Sequence, residues 1–276
     1  MNDVSMIDVR TRTGTVRAGW IIASRDLAHW RRDPWTPIFG LAFSIMLLLV
    51  FGFLFGGAIS IPGVDDSDRA DYIDFLVPGM LALSMMFGVE TTTAAMAADA
   101  KKGITDRFRS MPIGNVAVAL GRVGADMVNS VVELTVLIIG GLLIGWTIGS
   151  DPASAALAVV LLLALRFSLL WVGIFLGLTF PSESATSAVQ VLVWPIGFLS
   201  TAIVGAETMP GWLGAIAAWN PISATATAAR ELFANPTGVT GGPLDEWTIA
   251  LAIIWPAAIS VVFIALSARA YRRLRR

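Results

Sequence analysis

Six stretches of about twenty or more mostly apolar residues divide this chain: 37–58, 73–97, 116–148, 153–180, 186–205 and 247–268. About twenty such residues cross a hydrocarbon core as a helix. In lipid the backbone must satisfy its own polar groups, so each stretch is predicted to be helical. Only 14% of the residues are charged, against about 25% in soluble domains. The expectation is one all-α integral membrane domain over 1–276, with no internal repeat and no separate soluble core.

Local signals place the boundaries. Asp33-Pro34 and Thr36-Pro37 open the first stretch with a capping side chain followed by Pro, which needs no N–H donor there. Ser150-Asp151-Pro152 predicts a tight turn and a helix start, and Pro181 ends the fourth stretch. Pro195 and Pro256 lie inside stretches and predict kinks. Residues 14–33 carry Val16, Trp20, Ala23, Leu27 and Trp30 at helical spacing. This reads as an amphipathic helix in the interface plane, or as a soluble tail helix. No apolar core lies within the first 35 residues, so a cleaved signal peptide is not expected.

Orientation follows from Lys and Arg. With both termini cytoplasmic, 16 basic residues fall inside, two outside and one, Arg166, in the membrane. That topology makes 99–112 cytoplasmic. It puts an acidic run (Asp65, Asp66, Asp68, Asp71 and Asp74) outside, together with residues 206–246. The latter region has two apolar-aromatic pieces, 210–219 and 222–234, broken at Asn220-Pro221. It reads as a re-entrant lid containing Met209, Pro210, Trp212 and Trp219, or as an ordinary outside loop.

Several chemistries are excluded. There is no Cys and a single His, His29, which leaves no thiolate metal site and no material for a zinc centre. The only lysines, Lys101 and Lys102, follow no G-x-x-x-x-G frame, so the chain supplies no P-loop of its own. A net charge of −1 points to no nucleic acid partner. No acid cluster suggests a membrane-embedded enzyme. The charged cytoplasmic stretch argues against a channel that works alone.

That stretch, Asp99 to Pro112, is too short to fold alone and too charged for lipid. It is either a solvated loop or a docking surface for a separate ATPase. Three charges lie inside the apolar stretches: Glu90, Glu133 and Arg166. Each is costly there, by roughly 2.5–3.5 kcal/mol for Arg or Asp on insertion scales, and so is expected to have a partner or a role. Glu133 and Arg166 sit about equally far from the turn at 150–151, so their depths match. They form a candidate ion pair fixing register, or a substrate contact or latch. Glu90, beside Thr91, Thr92 and Thr93, either lines a vestibule or bonds to a neighbouring helix. Gly52/Gly56, Gly141/Gly145 and Gly173/Gly177 have the spacing that allows close helix approach.

The run Asp106-Arg107-Phe108-Arg109-Ser110-Met111-Pro112, with Arg122 and Asp126 following, resembles the permeases of type-2 ABC exporters, in their daunorubicin-resistance branch. Tyr72-Ile73-Asp74-Phe75-Leu76-Val77-Pro78-Gly79 is similar to that family's Y-x-x-F-L-x-P-G element. Met209-Pro210-Gly211-Trp212 followed by Asn220-Pro221-Ile222-Ser223 is similar to its external element. Lys101-Lys102-Gly103 departs from the Glu-Lys-Gly of many members. The resemblance implies a six-span permease in a bacterial plasma membrane, exporting a hydrophobic or amphipathic drug or lipid. A polysaccharide or glycolipid exporter is the alternative on the same fold. It also implies a second permease copy or paralogue, and two ATPase subunits that hold the ATP and Mg. By the resemblance, 99–112 is the coupling helix. Asp99, Lys101, Lys102, Asp106, Arg107, Phe108, Arg109, Met111 and Pro112 would meet the ATPase, with Trp30, Arg31 and Arg32 as a second contact.

Overall fold

A computed structural model describes residues 35–55, 61–64, 68–101, 115–238 and 245–273. Among these the chain forms eight α-helices and no strand. They are α1 (Trp35–Val50, continued by a π-helical turn Phe51–Phe55), α2 (Arg69–Lys101), α3 (Asn115–Leu143), α4 (Pro152–Thr179), α5 (Glu183–Phe198), α6 (Gly211–Ala218), α7 (Pro221–Phe233) and α8 (Thr248–Arg273). Five are long and apolar enough to cross a membrane: α1 with its π-helical turn, α2, α3, α4 and α8. The expected interface helix at 14–33, with Trp30, Arg31 and Arg32, lies outside the described residues.

The bundle is built around α2. In its most apolar window 83% of residues are buried, against 11% for α8. A helix apolar all round is a core helix, and α4, α5, α7, α3 and α1 pack against it. Two glycines of α4 set the α2–α4 distance. A Cβ on Gly173 would sit 3.0 Å from the Val89 carbonyl, and one on Gly177 would sit 2.6 Å from Met96 Cβ. In lipid such close backbone approach is a main source of helix–helix attraction.

The helix ends follow their capping chemistry. Asp151 caps α4 by accepting from the backbone N–H groups of Ala153 and Ser154, with Pro152 at the first helical position. The third stretch ends earlier than its apolar run, which continues to 148. Gly145 adopts φ +105° and Trp146 N–H returns to the Gly141 carbonyl, a left-handed glycine stop. Gly145 therefore terminates α3, while Gly141 serves packing: a Cβ there would sit 2.8 Å from the Val77 side chain.

The fifth expected span, 186–205, is helical only over Glu183–Phe198. Sixteen residues rise about 24 Å, short of the roughly 30 Å hydrocarbon core. Pro195 stands in the last turn and the chain bends through 199–205 before α6. The two apolar-aromatic pieces on either side of Asn220-Pro221 then form helices α6 and α7. Helix α7 is almost wholly buried, packed among α2, α4 and α8. It is an internal element of the bundle.

Candidate functional site

Two polar clusters cross the bundle, one towards each end. The inner cluster joins α2, α3 and α4. Arg122 and Asp126 form an i,i+4 pair at 3.3 Å on α3. The Thr92 hydroxyl of α2 donates to the same Asp126 oxygen at 3.0 Å. One turn on, Ser130 donates to the Asp126 carbonyl at 2.8 Å and accepts from Arg166 Nε at 2.9 Å. Arg166 Nη1 donates to the Met85 carbonyl at 3.2 Å. The guanidinium is 2% exposed and occupies the space above Gly88, where any Cβ would overlap it.

Glu133 and Arg166 share this region but do not form a salt bridge. The Ser44 hydroxyl of α1 donates to Glu133 at 3.4 Å, while Arg166 bonds Ser130 and Met85. The two side chains make no direct contact with each other. The arginine reaches across α3 one turn from Glu133 and onward to α2. Glu90 is half-buried, and it is Thr92, two residues on, that enters the network. Ser130 and Gly88 carry no charge, so intramembrane charge does not reveal them. The available signal is Gly88, since a mid-helix glycine costs roughly 0.5–1 kcal/mol unless something needs its space.

The outer cluster is built on Arg230 of α7, which is 0% exposed. Its Nε donates to the Phe75 carbonyl at 2.8 Å, and Nη2 donates to the Thr201 and Ala202 carbonyls at 2.9 Å each. The guanidinium also lies 3.6 Å from the Phe75 ring centroid, a cation–π contact. Gly79 makes this possible, because a Cβ there would lie 1.8 Å from the Ala202 carbonyl oxygen. Charge counting treats Arg230 as an outside loop cation, whereas in the fold it is a buried tie between α7, α2 and the turn after α5.

Asn220 and Ser223 complete that tie. Asn220 Nδ2 donates to the Ile196 and Leu199 carbonyls, at 2.9 and 2.8 Å, left free by the end of α5. Its Oδ1 accepts from Ile222 N–H and so caps α7. Ser223 Oγ accepts from Thr201 N–H at 2.9 Å. Farther along, Trp146 Nε1 donates to Asn235 at 2.9 Å, and Asp74 accepts from both the N–H and the hydroxyl of Thr147. Trp212 and Trp219, with Ile216 between them, form an exposed stripe on α6 and its end. Met209 and Pro210 lead into α6, Pro210 as its N-cap.

At the other end of α2, Asp99, Ala100 and Lys101 form its last turn. Lys101 Nζ contacts Glu183 at 2.8 Å, at the start of α5. That lysine holds the exposed Glu183 carboxyl below its ordinary range. Lys102, Asp106, Arg107, Phe108, Arg109, Met111 and Pro112 lie outside the described residues.

A family model described as "ABC-2 type transporter" matches residues 17–234. The chain belongs to the ABC-2 type transporter family. Among its curated relatives is "Daunorubicin resistance ABC transporter permease protein DrrB1" of Streptomyces coeruleorubidus, 32% identical over 229 residues, covering 83% of this chain and 76% of that protein. "Putative transport permease ycf38" of Cyanophora paradoxa is 25% identical over 82% of this chain and 78% of its own. "Probable doxorubicin resistance ABC transporter permease protein DrrC" of Mycobacterium tuberculosis (strain CDC 1551 / Oshkosh) is 23% identical over 91% and 86%. In this ABC-2 chain parts of the three motifs read from sequence fall on the two clusters. Tyr72–Gly79 and Asn220–Ser223 build the outer one, and Arg122 with Asp126 builds the inner one.

Proposed function

We propose that this chain is the membrane-spanning permease subunit of an ATP-driven exporter that moves a hydrophobic or amphipathic molecule, a drug or a lipid, out of the cell. The observation that carries the reading is the match over 83% of the chain to a permease named for daunorubicin resistance. The chain itself has no P-loop, so ATP and Mg belong to a separate ATPase, in two copies. These act on two permeases, either two copies of this chain or one with a paralogue. In this reading α5, completed by the bend at 199–205, is the fifth of six crossings, and both termini are cytoplasmic. The location is a bacterial plasma membrane, in keeping with the Streptomyces and Mycobacterium relatives.

The coupling stretch 99–112 takes the motor's thrust. Its first turn is continuous with α2, the helix on which most of the bundle packs. Displacement there loads the Thr92–Asp126 and Met85–Arg166 contacts, which tie α2 to α3 and α4. Transport in inside-out vesicles tests this. With the chain and its ATPase present, ATP should drive uptake of a fluorescent anthracycline. Uptake unchanged by omission of ATP would sink the proposal.

A further inference from the structure

The two halves of α2 differ in how they are covered. Residues 75–86 are buried without exception. Between 87 and 98 the residues that are not buried recur at helical spacing and form one stripe, with Phe87, Glu90, Thr91, Ala94 and Ala98 on it. Glu90 stands apart from the other charges of the bundle. Asp126, Glu133, Arg166 and Arg230 each have a hydrogen-bonding partner. The half-buried Glu90 carboxylate has no hydrogen bond and no ion pair among the described residues. A bond to a neighbouring helix, one of the two roles its position allows, is therefore absent.

Its depth follows from α2. Lys101 in the last turn pairs with Glu183, whose side chain is 94% exposed, so that end stands at the aqueous surface. Glu90 lies about 16 Å further along the helix, near the middle of a hydrocarbon core of roughly 30 Å. A carboxylate at that depth is costly against lipid tails and calls for a counter-charge.

The surroundings say which kind of counter-charge. One turn beyond Glu90 stands Phe87, whose ring lies 4.6 Å from Trp194 of α5 and 6.3 Å from Phe43 of α1. Phe43 and Trp194 are 5.3 Å apart, edge to face. None of the three rings is wholly buried. Towards Lys101 the stripe carries only Thr and Ala, which leave room and bring no positive charge. A carboxylate beside aromatic faces recognises an organic cation with apolar substituents. The acid supplies the opposite charge, and the rings attract a cation within about 6 Å of their centroids. An anion would be repelled by Glu90, and an uncharged molecule would leave it unpaired.

We infer that Glu90 is the charge-selecting residue of a binding site on α2, capped by Phe87, Phe43 and Trp194, for an amphipathic organic cation. The inference rests on the reading of this chain as an export permease and narrows its cargo to cations.

Equilibrium binding of tetraphenylphosphonium, a permanent aromatic cation, to the purified full chain in detergent tests the site without the ATPase. Triphenylphosphine oxide serves as the uncharged counterpart. Wild type should bind the cation about tenfold or more tightly than the oxide, as expected for one close charge pair held out of water. Glu90→Gln should abolish that preference while keeping the wild-type melting temperature, and Glu90→Asp should retain part of it. Glu207→Gln removes the same charge from an exposed position before α6 and should leave the preference intact. Equal affinity of wild type for the two compounds, an unchanged preference in Glu90→Gln, or equal loss in Glu207→Gln overturns the assignment. So does loss of a dimer in Glu90→Gln by light scattering, which would mean that Glu90 meets a second copy. In the vesicle assay, ATP-driven uptake of tetraphenylphosphonium should fall about tenfold in Glu90→Gln. No ATP-driven uptake in wild type, with the binding preference intact, would refute the export reading and leave the site standing.

Discussion

At the scale of single residues, the two buried arginines carry different burdens. Arg230 is solvated by three backbone carbonyls and one aromatic face. Arg230→Met should cost about 3 kcal/mol or more, since hydrogen bonds to a charged group contribute roughly 1.5–3 kcal/mol each and the carbonyls at 201 and 202 lose their donor. Arg230→Lys should recover only part of this, because an ammonium cannot reproduce the planar fork. Thermal unfolding of the purified chain in detergent reads both, and equal stability of all three forms would contradict the tie. Arg166 makes no direct contact with Glu133, so charge reversal at both positions should not rescue what either single reversal loses. A double-mutant cycle of Glu133→Gln and Arg166→Gln should give a coupling below about 1 kcal/mol, the range of pairs held apart or screened. A coupling of about 3 kcal/mol, as for a broken buried pair, would mean that the two meet.

Elements are decided by their ends. Asn220 serves two helices at once, so Asn220→Ala should destabilise by about 1–2 kcal/mol. Asn220→Asp keeps the oxygen that caps α7 but loses both donations to α5, and should stay well below wild type. A pure N-cap role would let the aspartate restore stability fully. Asp151 gives a pH test. Its carboxylate accepts from the Ser154 hydroxyl and from the N–H groups of Ser154 and Ala153, which lowers its pKa. The charged form is favoured in the folded state. Its stabilisation is therefore present above the unfolded value of about 3.9 and is lost as pH falls through the lower folded value. Asp151→Asn keeps the capping oxygen and should show a flatter decline of melting temperature below about pH 4. Parallel curves would show that the cap does not titrate.

The same ends explain what the sequence made legible. Asp151-Pro152, Pro181 and Asn220-Pro221 are local signals of capping chemistry, and the helices begin and end close to them. Residues 144–148 are apolar yet non-helical, because apolar character cannot report that Gly145 turns left-handed. Helix α5 stops at Phe198 inside an uncharged run, and its length is set by partners distant in sequence, Asn220 and Ser223. The clusters are half visible in the sequence. Arg122, Asp126 and Arg166 stand out as charges, whereas Ser130, Thr92 and the Met85 carbonyl are found only by three-dimensional packing. Arg230 is visible as a charge, but its burial is not, since a charge count does not know that α7 packs into the bundle.

For the whole molecule, the burial of α2 decides how force would spread. Helices α1, α3 and α8 lie at the periphery, with Val131, Ile139, Val261 and Val262 among their exposed apolar residues, while α2 touches nearly every other element. A push on the stretch that begins at Asp99 would reach α2 first and α5 through Lys101–Glu183. That exposed pair is screened by water and contributes little, so Glu183→Gln should leave transport almost unchanged in the vesicle assay. A large loss would give α5 a greater share in coupling.

If a separate ATPase grips residues 99–112, as proposed, the two should co-purify. The full chain, isolated from membranes of its host, should bring down a P-loop ATPase in stoichiometric amount with ATP hydrolysis in the eluate. Arg107→Glu combined with Phe108→Ala should lose both while the chain remains folded and in the membrane. Recovery of the ATPase in equal amount and activity with the double variant would mean that Arg107 and Phe108 do not hold it.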